Sequence, residues 1–172
     1  MKKSVLTLLT VLAIATVARA ESTVRLTGVH LCCKSCVTGV TKAVGKVAGA
    51  TAACDAESET VTLTAPDAAT AQKAVDSLLA AGYFGKSSDA SVQVKDTSGA
   101  KDEKVTSLAV NDVHLCCGKC VTAVNKAISK VSGVTGNTAE KNAKTFEVTG
   151  NFNAKEVFSA LQDAGLTGKA GN

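Results

Sequence analysis

The sequence predicts an α+β protein built as two tandem βαββαβ domains, each an antiparallel sheet covered by two helices. Two observations carry that expectation. The chain repeats itself, and in both copies the hydrophobic period switches between two and about 3.6 in the same order. The repeat is explicit. Val29-His30-Leu31-Cys32-Cys33-Lys34-Ser35-Cys36-Val37-Thr38 returns as Val113-His114-Leu115-Cys116-Cys117-Gly118-Lys119-Cys120-Val121-Thr122. Further on, Ala81-Gly82-Tyr83 answers Ala164-Gly165-Leu166.

Each element has its own reason. Val24 and Leu26, like Leu108 and Val110, alternate as the buried side of a half-exposed strand does. The apolar phase then slips to Val29 and Leu31, which ends the first strand near Gly28. From about Cys36 the period becomes helical. Val37, Val40, Val44 and Val47 share one stripe, as do Val121, Val124, Ile128 and Val131. Gly49 and Gly133 are the expected helix stops. A strand near 50–54, a polar turn at 55–58 and a strand at 60–64 come next. Pro66, with Asp67 behind it, marks the start of a second helix. That helix carries Ala71, Ala74, Val75, Leu78 and Leu79, and its counterpart carries Val157, Phe158 and Leu161. A short last strand should follow Gly82 and Gly165; in the first copy both 83–87 and 91–94 fit. This order is ferredoxin-like.

The ends and the seam complete the organisation. Residues 1–20 read as a signal peptide: Lys2 and Lys3, an apolar run from Val5 to Val17, then Ala18-Arg19-Ala20 before the cleavage point. The expected location is outside the cytoplasm, in the periplasm first and secreted otherwise. The apolar run is too short for a membrane span, and no later segment is long enough. The first domain is then 21–94 and the second 105–172, joined by a polar, charged linker at 95–104 with nothing to bury. Cleavage leaves sixteen basic against fifteen acidic side chains, a charge near neutral. With one tyrosine, four phenylalanines, no tryptophan and no basic cluster, the composition argues against nucleic acid as a partner.

The chemistry lies in seven cysteines. Six form two Cys-Cys-x-x-Cys loops, Cys32, Cys33 and Cys36 and then Cys116, Cys117 and Cys120, each between a strand and a helix. A helix start offers free N–H groups and partial positive charge, which favour thiolate over thiol. Lys34 and Lys119 act in the same direction. Thiolates select soft metal ions, Cu(I) first, with Zn(II), Cd(II) and Hg(II) open. His30 and His114 are second-tier ligands or tuning groups. Cys54 has no counterpart, Thr138 standing at that offset, and reads as a spare thiol. A local disulfide is the competing use of these cysteines in an oxidising compartment.

A strand–CxxC–helix opening of a unit of about seventy residues resembles the heavy-metal-associated domain family, here as a tandem pair. The family includes copper chaperones and the periplasmic mercury-binding protein. The resemblance implies that Cys33 and Cys36, and Cys117 and Cys120, carry metal. Leu31 and Leu115 stand where the family has a core methionine. His30 and His114 replace its glycine, and Cys32 and Cys116 replace a threonine or serine. Tyr83 matches a tyrosine that bacterial copper chaperones place near the metal. The reading is therefore a metal carrier or scavenger rather than an enzyme, with two independent sites of one ion each. Its expected partners are metal ions and a membrane metal transporter or another metal-binding domain. Two alternatives stand beside it. One is a thiol–disulfide redox protein using the CxxC pairs, against which the lone Pro66, unmatched in the second copy, counts. The other is a metal-free module that docks a partner.

Overall fold

The computed structural model describes residues 20–87 and 89–171; the expected export segment, apart from Ala20, lies outside the described residues. Two antiparallel sheets each carry a pair of helices. In the first, β1 (Ser22–Thr27) and β2 (Thr51–Asp55) flank β3 (Thr60–Ala65), with Val24 opposite Leu63 and Cys54 opposite Val61. In the second, β4 (Lys104–Asn111), β5 (Val134–Asn137), β6 (Thr145–Asn153) and β7 (Lys169–Ala170) stand in the order β5-β6-β4-β7. Val24, Leu26, Val61 and Leu63 are buried in the first unit, and Val110, Val148 and Phe152 in the second.

Helix α1 (Lys34–Val44) packs on α2 (Ala68–Ala80), and α3 (Gly118–Ile128) on α4 (Ala154–Asp163). The buried stripe of α1 is Cys36, Val40, Ala43 and Val44, and that of α3 is Cys120, Val124, Ala127 and Ile128. The expected stripe is therefore corrected at its ends. Val37 and Val121 are half-buried, and the helices close before Val47 and Val131. The reason is the cysteine: turning Cys36 and Cys120 inward rotates the neighbouring valine toward the rim. Pro66 precedes the helix rather than opening it, because Asp67 is the N-cap and its Oδ1 accepts from Thr70 N at 2.7 Å.

The two units are held to each other by short backbone segments. Phe84 N donates to Gly165 O (3.0 Å), Thr167 N to Gly82 O (3.1 Å) and His30 N to Gly165 O (3.2 Å), with Tyr83 bridged to Leu166. Equivalent residues thus meet reciprocally, as across an approximate twofold axis. Gly82 and Gly165, at φ +86 and +75, make the approach possible. A Cβ on Gly82 would lie 2.5 Å from Asp112 O and His114 N, and one on Gly165 would lie 2.3 Å from Gly28 O.

The last strand expected of the first unit is reduced to one bridge. Neither 83–87 nor 91–94 forms a strand, and a single bridge joins Thr27 to Lys86. The backbone at Tyr83 and Phe84 pairs with the other unit, as that at Leu166 and Thr167 does; past this joint the second unit pairs Lys169 and Ala170 with β4, whereas the first makes only the bridge at Lys86. The linker also differs from expectation. Ser98 is buried, its carbonyl accepts from Ala170 N at 2.8 Å, and Lys104 already belongs to β4. A two-residue edge strand leaves backbone groups to satisfy, and the linker satisfies one.

Candidate metal centre

Both cysteine loops are built alike. Cys33 and Cys117 are N-caps in extended backbone, φ −163 and −153, and neither makes a side-chain cap bond. The next turn brings Cys36 N to Cys33 O (3.0 Å) and Cys120 N to Cys117 O (3.1 Å). An extended cap followed by a helical turn sets one sulfur before the helix and one inside its first turn. Cys32 and Cys116, one residue upstream, stand beside them.

The two loops converge on one another. Cys32 Sγ lies 3.6 Å from the sulfurs of Cys36, Cys117 and Cys120. Cys33 Sγ lies 3.7 Å from those of Cys36 and Cys116, and Cys36 Sγ 3.7 Å from Cys116 and 3.9 Å from Cys120. Cys120 completes the set at 3.7 Å from Cys116 and 3.8 Å from Cys117. The expectation of two independent sites is thereby corrected: the six sulfurs form one group. All six are free thiols, spaced well beyond a disulfide bond of about 2.05 Å. Cys36 and Cys120 are buried and the other four half-buried. A depression lined by Cys33, Cys117, Gly118, Lys119 and Thr122 opens beside them.

In the reduced, metal-free protein the thiols divide into easy and hard proton donors. The Cys36 backbone N–H beside Cys33 pulls that thiol down to about 6. Burial pushes Cys32 up to about 12 and raises Cys116 as well. Cys120 falls well below the thiol range because Cys36 donates to it, and the same contact holds Cys36 above it. Crowding makes further deprotonation hard without cations, and binding a soft cation supplies them.

The remaining expected residues separate. His30 comes within 4.8 Å ligand-to-ligand reach of Cys32 and Cys120. His114 instead stacks on Tyr83, ring centroids 4.5 Å apart, and belongs to none of the ligand groups found among the described residues. Burial lowers its pKa. The Nε2 atoms of both histidines are buried without a hydrogen-bond partner among the described residues. Tyr83, fully buried, donates from its hydroxyl to Cys36 O at 3.0 Å and so braces the loop from behind. Cys54 stays on β2, half-buried and outside the cluster, its pKa raised by burial.

Three positions escaped sequence reasoning. Gly82 and Gly165 form the joint, and the repeated Ala-Gly was the available signal. Gly39 leaves room for the tyrosine, since a Cβ there would meet Tyr83 Oη at 2.2 Å; the counterpart, Ala123, faces no tyrosine.

No protein-family model and no curated protein matches this chain. Among solved structures, one similar chain is that of the N-terminal soluble domains of Bacillus subtilis CopA, determined in solution. It is 15% identical, with 89% of this chain and 95% of that chain covered, at a TM-score of 0.31. So loose a likeness transfers neither a site nor an activity.

Proposed function

We propose that this is an exported soft-metal-binding protein, a scavenger or carrier, which holds Cu(I) or another thiophilic ion through Cys32, Cys33, Cys36, Cys116, Cys117 and Cys120. The observation that carries the reading is the convergence of six free thiols within 3.6–3.9 Å contacts at two helix starts. Uncharged thiols gain little from such crowding, whereas thiolates around a soft cation gain both charge balance and covalency. No turnover chemistry is assigned. Scavenging is favoured over delivery, because the site draws sulfurs from both units and release requires the joint to part. Where delivery occurs, a membrane metal transporter or another metal-binding domain would receive the ion.

Elemental analysis of protein isolated anaerobically from the exported fraction tests this reading. Copper, or failing it zinc, cadmium or mercury, should copurify, and Cys33→Ser with Cys36→Ser should deplete it. Metal-free protein that instead cycles its thiols against a disulfide substrate would establish the redox alternative.

A further inference from the structure

The arrangement of the sulfurs says more than that they are close. Nine of the pairs lie 3.6–3.9 Å apart. Three more, Cys32 with Cys33, Cys33 with Cys117, and Cys116 with Cys117, lie within 4.8 Å. The pairs left over are Cys32 with Cys116, Cys33 with Cys120, and Cys36 with Cys117. By these contacts every sulfur has four neighbours, twelve edges in all. Six points related in that way are the corners of an octahedron.

We infer that the chain holds a single polynuclear cluster of four monovalent d¹⁰ ions, Cu(I) by chemistry, enclosed by six bridging thiolates. The inference rests on the soft-metal reading above and adds nuclearity to it. An octahedron has eight triangular faces, and four alternate faces use every corner twice. One ion per alternate face gives each metal three sulfurs and each sulfur two metals. Cys32, Cys36 and Cys120 outline one such face, with edges of 3.6, 3.6 and 3.9 Å. The centre of a triangular face lies at its edge divided by √3, so edges of 3.6–3.9 Å put an ion about 2.1–2.3 Å from each sulfur, the ordinary thiolate–metal length. Trigonal coordination suits Cu(I), whereas Zn(II) and Cd(II) would each seek a fourth ligand that six cysteines cannot supply to four ions.

Charge supports the same count. Six thiolates around two monovalent ions leave four negative charges in a partly buried site, and around four ions they leave two. The helix starts at Cys33 and Cys117 oppose that remaining charge, and Lys119 lines the depression beside Cys33 and Cys117. The extra sulfurs Cys32 and Cys116 find their use here, since a pair of two-sulfur sites would have no need of them.

The test is anaerobic titration of the reduced, signal-cleaved full chain with Cu(I) delivered as its acetonitrile complex, followed by native mass spectrometry and X-ray absorption. The expected result is a four-ion species that appears directly from the metal-free one. It should show three sulfurs per copper and copper–copper scattering at two thirds of the sulfur–sulfur edge, about 2.4–2.6 Å. Cys32→Ser should abolish the four-ion species, since each sulfur bridges two ions. Saturation at one or two ions, with two sulfurs each and no metal–metal scattering, overturns the cluster and leaves soft-metal binding intact. Failure to bind Cu(I) at all overturns both.

Discussion

Gly165→Ala should loosen the joint between the units, and Gly28→Ala is its control. Both glycines have positive φ, +75 and +69, so an alanine at either costs about 1–2 kcal/mol in left-handed backbone. The surroundings separate them. Nothing lies within 4 Å of a Cβ on Gly28, whereas one on Gly165 meets Gly28 O at 2.3 Å and His30 N at 2.5 Å. Both atoms are backbone, so the units must shift apart. The hydrogen bonds from Phe84 N and His30 N to Gly165 O are then weakened, about 1 kcal/mol each. Gly165→Ala should therefore cost about 2 kcal/mol more than Gly28→Ala. In urea, with a slope of about 1–2 kcal/mol per molar, its midpoint should fall about 1–2 M further. The readout is built in: Tyr83 is the chain's only tyrosine, there is no tryptophan, and Tyr83 sits in the joint. Equal midpoints for the two variants would refute the reasoning.

Other outcomes follow from single contacts. Tyr83→Phe removes the bond to Cys36 O and should cost about 1 kcal/mol in thermal or urea unfolding, more if the carbonyl finds no other donor. Phe158→Ala empties a fully buried site under the second sheet and should cost about 3–5 kcal/mol by the same measurement. In reduced metal-free protein at pH 7, iodoacetamide should label Cys33 before Cys32, as read by peptide fragmentation. With one thiol near 6 and the other near 12, only Cys33 is mostly thiolate at that pH. Cys54→Ser should leave the copper stoichiometry unchanged in the titration, because Cys54 lies outside the cluster.

Local patterns were legible in the sequence because they depend on neighbours along the chain. The alternation at Val24 and Leu26 and the helical spacing through Val40 and Val44 reappear in the elements, although the helix starts at Lys34, two residues before the expected Cys36. What the spacing hid was the meeting of the two loops. Each loop satisfies the pattern of a complete site by itself, and no periodicity records which surface a second unit will cover. The clue lay in residues that the single-site view left idle: an extra cysteine in each loop, a histidine where small residues would do, and a repeated Ala-Gly. The fourth strand of the first unit shrinks to the bridge from Thr27 to Lys86, where the second unit pairs Lys169 and Ala170 with β4.

Reciprocal contacts of this kind, Gly82 with residue 167 and Gly165 with residue 84, are what a symmetric homodimer displays. A single copy would reach the same arrangement only by finding its twin, and a dimeric cluster would come apart on dilution. Covalent tethering through residues 95–103 replaces that encounter with an effective concentration on the order of millimolar. However dilute the protein, the joined chain keeps its six sulfurs together. Tethering also frees the copies from identity. Tyr83 against Leu166 and Gly39 against Ala123 are places where the two halves differ: the first braces the Cys36 carbonyl with a hydroxyl that Gly39 makes room for, and the second has neither residue.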